Sequence, residues 1–377
     1  MAPAVIDVRN AGDLRDVVHR AVQTLAEGQL VAFPTETVYG LAAHALDAAA
    51  VSRLIAAKGR QAGHPFPLAV RCADDAADYL PEIGSLGRRL ARRCWPGPLT
   101  LVMPDNHPQS LVRQLPESVQ RAVLQEGTLG LRVPAHPLIH DVLRLLPGPL
   151  VLTSANRTGQ PSAVTAEEVA GQLGSDVALI LNDGRCRYGQ ASTVVRIEGS
   201  DLRILRQGVV SESAVRRLAS FVMLFVCTGN TCRSPMAEWL CRQKLAARLG
   251  CTLDDLEERG WLVMSAGIAA SAGGGATSEA IETLRARGLD LSRHESQPVT
   301  DRLARMADRM LTMTRGHRDT LLRRWPEAAD RIHPLVAHGV DVADPIGGPL
   351  ESYRRCAEQI AAAIDAHIDQ VVAERGA

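Results

Sequence analysis

The chain has 377 residues, of which 46% are apolar, and this length exceeds what one hydrophobic core usually organises. We therefore expect two domains. The 42 basic and 42 acidic residues balance, and neither half has a broad basic excess, which argues against strong direct nucleic-acid binding. Because no long apolar run or signal peptide is present, we expect a cytoplasmic protein that does not contact membranes. The irregular spacing of the eight cysteines predicts reduced thiols and no metal bound by protein side chains.

The first half alternates apolar runs with amphipathic stretches, which is typical of an α/β fold. Strands are predicted over 30–33, 99–103, 129–133, 150–153, 177–181 and 193–197, and helices over 47–58 and 85–94. A closing helix is predicted over 211–219, and the unbroken apolar run 221–226 predicts a buried parallel strand that begins a second sheet. We place the boundary near residue 218, which gives domains 1–218 and 219–377 with a short connection.

Polar residues of the first half fall in short segments beside these strands. The segment VAFPTETVYGL is a strand that enters a turn predicted to expose two threonine hydroxyls and Glu36. Lys58, one of two lysines in the chain, precedes Gly59 and Arg60 at a predicted helix end. The segments GLRVPAHP, LTSANRTGQPSA and ASTVVRI follow. Cations and small hydroxyls in this arrangement predict one cleft for an anionic, hydroxyl-bearing ligand such as a nucleotide, although neither common nucleotide-binding loop is present.

As a set, these segments resemble the YrdC/Sua5 family of L-threonylcarbamoyladenylate synthases over about residues 10–210. The resemblance implies a YrdC-like twisted open α/β sheet with a deep cationic cleft. It implies a reaction of L-threonine, bicarbonate and ATP, the last with Mg²⁺, that gives threonylcarbamoyl-AMP and pyrophosphate for the tRNA-modifying t6A machinery. It also implies that threonine is held by Thr35, Arg132 and Ser192. The ATP side would be lined by Lys58, Arg60, His64, Thr128, Leu152, Ser154, Asn156, Ser162 and Arg206.

The sequence departs from this family near the helix end, where Gln61 replaces a frequent proline and Pro65 and Pro67 stand in place of one proline. An alternative function for this half is a non-catalytic module that binds structured RNA in the cleft. The balanced charge disfavours that alternative.

The second half begins with a strand, a loop and a helix in FVMLFVCTGNTCRSPMAEWLCRQKL. Cys227 opens the loop and Arg233 follows six positions later, so loop N–H groups, the helix N-terminus and the guanidinium can converge on a phosphate. The same field favours a Cys227 thiolate that attacks phosphorus, and Ser234 can hydrogen-bond the sulfur. Gly229 and Asn230 are residue types that tolerate the left-handed backbone of a tight loop.

A distant acid completes the pattern, because Asp344 in DVADPIGGPLESY is a candidate to protonate a leaving group. Together with CTGNTCRSPMAE and the strand end 265–267, it resembles the low-molecular-weight protein tyrosine phosphatase family over about residues 221–372. The resemblance implies a small doubly wound parallel sheet and no cofactor. It makes Cys227 the nucleophile, Arg233 the phosphate-binding residue and Asp344 the general acid and then base. The remaining phosphate-loop residues are Thr228, Gly229, Asn230, Thr231, Cys232 and Ser234.

Two positions predict the substrate among phosphorylated proteins. Thr231 stands where tyrosine-directed members usually carry a larger aliphatic residue, and CTGNTCRS resembles the protein-arginine phosphatase subgroup. Ile346 occupies a position where tyrosine-directed members tend to have an aromatic ring. We therefore expect phosphoarginine, with phosphotyrosine as the alternative. Cys232 either packs the loop or forms a reversible disulfide with Cys227. Arsenate reductase chemistry is disfavoured, since no further pair of relay cysteines is obvious.

Overall fold

The computed structural model describes residues 2–59, 64–337 and 340–376. Its contacts divide the chain into two compact units, Met1–Val215 and Arg216–Ala377, called unit 1 and unit 2 below. The domain limits at residue 218 stay a prediction. In the described part of the chain, no helix combines the length and apolar character that crossing a membrane requires.

Unit 1 is a mixed α/β structure. Its strands are β1 (Ala4–Asp7), β2 (Val31–Phe33), β3 (Gly40–His44), β4 (Leu68–Ala69), β5 (Leu99–Pro104), β6 (Leu124–Gln125), β7 (Thr128–Arg132), β8 (Leu150–Ser154), β9 (Leu179–Asn182), β10 (Thr193–Glu198) and β11 (Asp201–Arg206). Its helices are α1 (Leu14–Ala26), α2 (Ala48–Lys58), α3 (Ala73–Tyr79), α4 (Ser85–Cys94), α5 (Glu117–Val123), α6 (Pro137–Leu145), α7 (Ala166–Leu173) and α8 (Glu212–Ala219), the last of which crosses the division between the units.

The described strands of unit 1 form one sheet in the order β1-β9-β2-β3-β8-β4-β7-β5-β10-β11, with β6 beside β7. Neighbours are parallel in pairs such as β5 with β10 and antiparallel in pairs such as β5 with β7. The apolar faces of α1 and α6 pack on this sheet and enclose a core. The predicted open α/β sheet is therefore confirmed, and the predicted strands and helices of this half are present.

Helix α2 shows how local sequence positions a functional residue. It begins where the Asp47 carboxylate accepts hydrogen bonds from the backbone N–H groups of Ala49 and Ala50, at 2.8 and 3.0 Å. It ends at Gly59, whose φ of 58° is the left-handed conformation typical of a helix C-terminus. Lys58 is the last residue of the helix and is buried.

Unit 2 contains a smaller sheet. Its strands are β12 (Phe221–Cys227), β13 (Trp261–Gly267), β14 (Arg309–Thr312) and β15 (Ile332–Pro334). Its helices are α9 (Arg233–Leu249), α10 (Asp255–Glu258), α11 (Ser278–Arg285), α12 (Asp301–Met306), α13 (Arg315–Arg324) and α14 (Leu350–Gly376). The described strands are parallel and lie in the order β13-β12-β14-β15.

Strand β12 lies inside this sheet and contributes to a core on each face. Phe221, Met223, Phe225 and Cys227 join one buried cluster with α9 and α14, whereas Val222, Leu224 and Val226 join a second cluster with α12 and α13. This alternation follows from the opposite directions of successive side chains in a strand. The predicted buried parallel strand and doubly wound sheet are confirmed. The carboxyl end of β12 carries Cys227 into the loop that leads to α9.

Candidate active sites

The turn after β2 is buried, so the expectation that it exposes Glu36 and its neighbouring threonines was wrong. Glu36 is only 8% exposed. Nη2 of Arg132, from β7, donates hydrogen bonds to Oε1 of Glu36 at 2.6 Å and to Oγ1 of Thr37 at 3.0 Å. The N–H of Ala135 donates to Oε2 of Glu36 at 2.9 Å. This paired cation and these donors allow the polar turn to be buried, because a buried charge is tolerated when it is compensated.

A cavity of about 450 Å³ opens beside this turn in unit 1. Its apolar wall includes Val38, Phe66, Leu68 and Val102. Eight of the residues predicted to bind threonine or ATP line it, namely Thr35, His64, Thr128, Arg132, Leu152, Ser154, Ser192 and Arg206. The folded chain therefore brings together residues that come from widely separated segments. The volume lies in the range of ordinary small-molecule sites.

Arg206 gives one end of this cavity a positive charge. Its Nη2 donates hydrogen bonds to the carbonyl oxygen of Ser192 at 2.9 Å and to Oγ of Ser192 at 3.2 Å. In the described part of the chain, no carboxylate pairs with it. Burial and the positive charge of Arg132 lower the pKa of Arg206 below its ordinary value. Since Glu36 compensates only Arg132, this end of the cavity favours an anionic ligand.

Lys58 contacts Ser154, which lines the cavity, but is not itself a lining residue. Its Nζ donates to the carbonyl oxygen of Ser154 at 2.7 Å, to Oδ1 of Asn156 at 3.1 Å and to the carbonyl oxygen of Asn156. Nδ2 of Asn156 in turn donates to the carbonyl oxygen of Gln160 at 2.7 Å. Lys58, Asn156 and the half-buried Ser162 are not among the cavity-lining residues. Their predicted contacts with ATP stay predictions, and Arg60 lies outside the described residues.

In unit 2, the sulfur of Cys227 lies within the loop at the start of α9. The N–H of Asn230 donates a hydrogen bond to Sγ at 3.2 Å, and Oγ of Ser234 lies 3.0 Å from Sγ. Asn230 has the left-handed backbone, with φ of 55°. Gly229 does not adopt a positive φ, so the expectation that both residues serve this purpose holds only for Asn230. The left-handed turn at Asn230 directs its N–H toward the sulfur.

Asn230 is fixed by contacts from several elements. Its Nδ2 donates to Oγ of Ser234 and to Oγ of Ser265, both at 2.9 Å. Its Oδ1 accepts from the N–H of Gln297 at 2.9 Å, and its carbonyl oxygen lies 2.7 Å from Nε2 of His294. The Ser234 hydroxyl has one hydrogen and two possible acceptors for it, the Cys227 sulfur at 3.0 Å and the carbonyl oxygen of Ala266 at 3.3 Å. The network therefore holds the loop ready for an anionic sulfur.

The loop passes so close to Gly267, at the end of β13, that a side chain would not fit there. A Cβ at this position would lie 2.9 Å from the backbone nitrogen of Asn230 and closer still to the carbonyl oxygen of Thr228. Real Cβ atoms do not approach backbone so closely. The glycine at the strand end 265–267 therefore allows the loop to pack directly against β13.

Arg233 and Asp344 meet beside this loop although 111 positions separate them in sequence. Nη2 of Arg233 forms an ion pair with Oδ2 of Asp344 and donates to Oγ1 of Thr228 at 3.4 Å, and Nη1 donates to the carbonyl oxygen of Val342 at 3.1 Å. Its Nε is buried and, within the described residues, has no hydrogen-bond partner. A buried donor without a partner favours binding of an oxyanion. The Asp344 side chain is 41% exposed, so it remains accessible to a substrate.

The second loop cysteine, Cys232, is surrounded by hydroxyl groups. Its sulfur lies 3.6 Å from Oγ1 of Thr231, 3.6 Å from Oγ1 of Thr277 and 3.7 Å from the Tyr353 hydroxyl oxygen. It is a free thiol, as is Cys227. These contacts describe how Cys232 packs in the loop. Its pairing with Cys227 as a reversible disulfide stays a prediction.

Sequence reasoning missed two histidines that contact the loop. His294 lies against the carbonyl oxygen of Asn230, and Nε2 of His317 lies 2.9 Å from Oγ1 of Thr228. Neither belongs to a motif that marks it in the sequence. Only the fold, which brings the start of α13 and the segment before α12 to the carboxyl end of β12, places them there.

Known proteins resemble each half of the chain separately. The low molecular weight phosphotyrosine protein phosphatase family matches residues 222–376, and the Sua5/YciO/YrdC family, described as telomere recombination, matches residues 23–208. A protein-arginine-phosphatase of Geobacillus stearothermophilus is 36% identical over 157 residues, 41% of this chain and 97% of that protein. A threonylcarbamoyl-AMP synthase of Chromohalobacter salexigens is 34% identical over 188 residues, 49% of this chain and 95% of that protein. The chain belongs to both families, one in each half.

Two further relatives come from Pyrococcus abyssi. A threonylcarbamoyl-AMP synthase of that organism is 38% identical over 185 residues, 49% of this chain, and the chain spans only 52% of its length. A solved variant of P. abyssi Sua5 is 26% identical, with a TM-score of 0.51 and coverage of 71% of this chain and 92% of that chain. The fold of unit 1 therefore resembles a solved member of the Sua5/YciO/YrdC family.

Proposed function

We propose that unit 1 makes L-threonylcarbamoyl-AMP and pyrophosphate from L-threonine, bicarbonate and ATP, as a step in tRNA modification. The observation that carries the proposal is the cavity that joins an apolar wall to a cationic end at Arg206 and Arg132. The threonine amine attacks the carbon of bicarbonate and water leaves, which gives a carbamate. The carbamate oxygen then attacks the α-phosphorus of ATP while the bond to pyrophosphate breaks. The protein positions these reactants and offsets phosphate charge, and no side chain becomes covalently attached.

The residues assigned to each substrate fit this chemistry. Thr35, Arg132 and Ser192 offer hydroxyl groups and a cation to the carboxylate and hydroxyl of threonine, and Arg206 offers an uncompensated cation to phosphate. The relatives from C. salexigens and P. abyssi, which match this half, are named threonylcarbamoyl-AMP synthases. The t6A machinery would receive the adenylate as its substrate.

Mg²⁺ fits this proposal as an ion carried by ATP. Among the cavity-lining residues the carboxylate is that of Glu126, which pairs with Arg196 at 3.6 Å. In the described part of the chain no cluster of three acidic, histidine or cysteine side chains could hold a metal. Phosphate oxygens and water are the usual ligands of Mg²⁺ in such sites.

The two lysines of the chain provide a matched test. Lys58→Ala removes the donor that holds Ser154 and Asn156, and we expect formation of the threonine- and bicarbonate-dependent AMP adduct to fall at least about 10-fold. Lys244→Ala removes a partly exposed lysine that pairs with Asp365 in unit 2 and is expected to leave adduct formation unchanged. Phosphatase turnover should stay near wild type in both variants.

An assay of pyrophosphate exchange separates the synthase proposal from the RNA-binding alternative. An enzyme supports threonine-dependent exchange between ATP and pyrophosphate. A binding module would instead show filter-bound RNA whose affinity falls with salt, without exchange. Absence of exchange in the wild type would exclude the synthase.

For unit 2 we propose hydrolysis of phosphoarginine in proteins through a phosphocysteine intermediate. The observation that carries it is the Cys227 sulfur beside Ser234 and Asn230, with Arg233 and Asp344 at the same loop. The thiolate attacks phosphorus as the nitrogen–phosphorus bond breaks, and the Asp344 carboxyl group protonates the departing nitrogen. The Asp344 carboxylate then accepts a proton from water, whose oxygen attacks phosphorus, and the sulfur–phosphorus bond breaks to release phosphate.

Two features favour phosphoarginine over phosphotyrosine. The accessible Asp344 carboxylate can pair with a planar guanidinium, which a phenol ring does not offer. Ile346 is 62% exposed and provides no aromatic platform for a phenol ring. The relative from G. stearothermophilus is named a protein-arginine-phosphatase.

Thr231→Ile tests this assignment, because the Thr231 hydroxyl can place the attacking water whereas isoleucine cannot. We expect the ratio of kcat/KM for phosphoarginine to that for phosphotyrosine to fall about 10-fold or more. Thr252→Ile, at an exposed position before α10, is the control and should leave the ratio unchanged. Cys227→Ser should abolish phosphate release from both substrates. If wild type prefers phosphotyrosine peptides, or if Thr231→Ile leaves the ratio unchanged, the phosphotyrosine alternative replaces this assignment.

A further inference from the structure

His317 contacts the phosphate loop but has no part in the chemistry described above. It lies in the first turn of α13 and is 5% exposed. Its Nε2 is 2.9 Å from Oγ1 of Thr228, the residue that follows the proposed nucleophile. The same oxygen accepts a hydrogen bond from Nη2 of Arg233 at 3.4 Å. Thr228 thus links the imidazole of His317 to the guanidinium of Arg233.

The direction of these hydrogen bonds is constrained by the groups involved. A guanidinium can only donate, so Oγ1 of Thr228 must accept from Arg233. Since that oxygen has a second lone pair as well as its own hydrogen, it can either donate to Nε2 of His317 or accept from it. Donation by Thr228 requires a neutral imidazole with its proton on Nδ1, whereas donation by Nε2 leaves Nδ1 as an acceptor; Nδ1 is buried and has no hydrogen-bond partner in the described residues.

The surroundings favour this neutral form. Burial and the positive charge of Arg233 lower the pKa of His317 to about 4, although the carboxylates of Asp344 and Asp341 act in the opposite direction. A protonated imidazole would donate to Thr228 Oγ1 and would add a second positive charge next to Arg233. The imidazole of His317 is therefore neutral at neutral pH.

Arg233 needs a hydrogen-bond acceptor besides Asp344, because Asp344 also transfers protons in the proposed reaction. In the proposed reaction Asp344 exchanges a proton with the leaving group and with water, so it cannot serve as a constant anchor for Nη2. The carbonyl oxygen of Val342 holds Nη1, and Thr228 Oγ1 is the neutral acceptor on Nη2. A fixed guanidinium binds phosphate oxygens without first losing conformational freedom.

We propose that His317 is a positioning residue whose hydrogen bond with the Thr228 hydroxyl group orients the Thr228 oxygen to hold Arg233 against the bound phosphate. The proposal rests on the phosphatase function proposed for unit 2. In this proposal, His317 affects phosphate binding and turnover only through its hydrogen bond with Thr228.

A double-mutant cycle on the full-length chain tests this dependence. His317→Leu and Thr228→Val should each weaken inhibition by inorganic phosphate and lower kcat/KM for an aryl phosphate by about 10-fold, because each loses a hydrogen bond linked to a charged group. The double variant should be no worse than either single variant. His317→Gln retains an acceptor at the same reach and should stay within about 3-fold of wild type.

His367→Leu is the matched control. His367 lies in α14, where Nε2 is 2.9 Å from the carbonyl oxygen of Leu335, and burial lowers its pKa as it does for His317. This variant loses a buried histidine of unit 2 without touching the loop, so its phosphate inhibition should equal that of wild type. Circular dichroism and thermal unfolding establish that each variant is folded. If His317→Leu does not fold, His317→Gln and Thr228→Val still decide the question.

The outcomes separate this inference from the proposed function. Additive losses in the double variant, equal impairment of His317→Gln and His317→Leu, or unchanged phosphate inhibition in Thr228→Val would each overturn the role of His317. A wild type that hydrolyses neither phosphoarginine nor an aryl phosphate would refute the phosphatase function instead. In that case calorimetric binding of inorganic phosphate to the same variants still tests whether His317 and Thr228 act as a unit.

Discussion

The ion pair between Glu36 and Arg132 offers a sharp test of how unit 1 maintains its cavity. Glu36→Gln keeps an amide oxygen that can accept from the N–H of Ala135 but removes the charge that faces Arg132. Both residues are only 8% exposed, so water can do little to stabilise the guanidinium that is left behind. We expect unit 1 to lose stability and the cavity to lose its organised cationic end.

The size of the effect follows from the burial of the pair. Removing one partner of a buried ion pair costs about 3–5 kcal/mol. For a domain of this size each kcal/mol lowers the unfolding midpoint by about 2–4 °C, which gives a decrease of roughly 6–20 °C. Arg132→Met in the Glu36→Gln background removes the remaining charge and should recover a substantial part of that loss.

Calorimetry on the full-length chain measures the expected decrease. The control is Glu198→Gln, which removes an exposed partner of Arg196 and should shift the midpoint by no more than about 4 °C, since exposed pairs contribute about 0–1 kcal/mol. A Glu36→Gln midpoint within that margin would refute a stabilising role for the pair. A further decrease on adding Arg132→Met would contradict the explanation based on an uncompensated buried charge.

Three further predictions concern unit 2 and the chain as a whole. Asp344→Asn should slow hydrolysis of substrates with poor leaving groups by about 100-fold but a nitrophenyl ester much less, and equal losses would contradict its role as the acid. Gly267→Ala should displace the loop and lower kcat/KM strongly, whereas Gly275→Ala, whose Cβ meets open space, should not; equal kinetics in the two variants would show that the loop tolerates a Cβ. Burial lowers the pKa of six histidines, so the unfolded chain binds more protons below about pH 6.5. The free energy of unfolding should therefore fall between pH 7.5 and 5, and a flat profile in urea denaturation would contradict these shifts. The histidines are His44, His136, His294, His317, His333 and His367.

Local sequence was enough to predict the elements that present the loop of unit 2. The apolar run of β12, the turn residues after Cys227 and the helix-forming sequence of α9 are contiguous, so each element and its order could be inferred without the fold. The same holds for α2, with Asp47 at its start and Gly59 at its end. By contrast β3, with sequence GLAAH, was not predicted. Its five residues are all buried, so no alternation of polar and apolar side chains marks it as a strand.

Contacts between distant segments were decided only by the tertiary structure. The turn after β2 looked exposed in sequence because Thr35 and Glu36 are polar, yet Arg132 from β7 compensates the buried carboxylate. The fold also gives Lys58 contacts that the sequence did not show, since its Nζ donates hydrogen bonds to Ser154 and Asn156; its contact with ATP stays a prediction.

The sequence by itself determined which residues could carry the chemistry of each half, because local motifs specify residue type, order and the strand or helix that holds them. The tertiary structure decided which charges are buried, which are compensated and which histidines contact the loop. The physical reason is that burial and electrostatic pairing depend on distances between chain segments, and a distance such as that between Nε2 of His317 and Oγ1 of Thr228 exists only once the sheet has assembled.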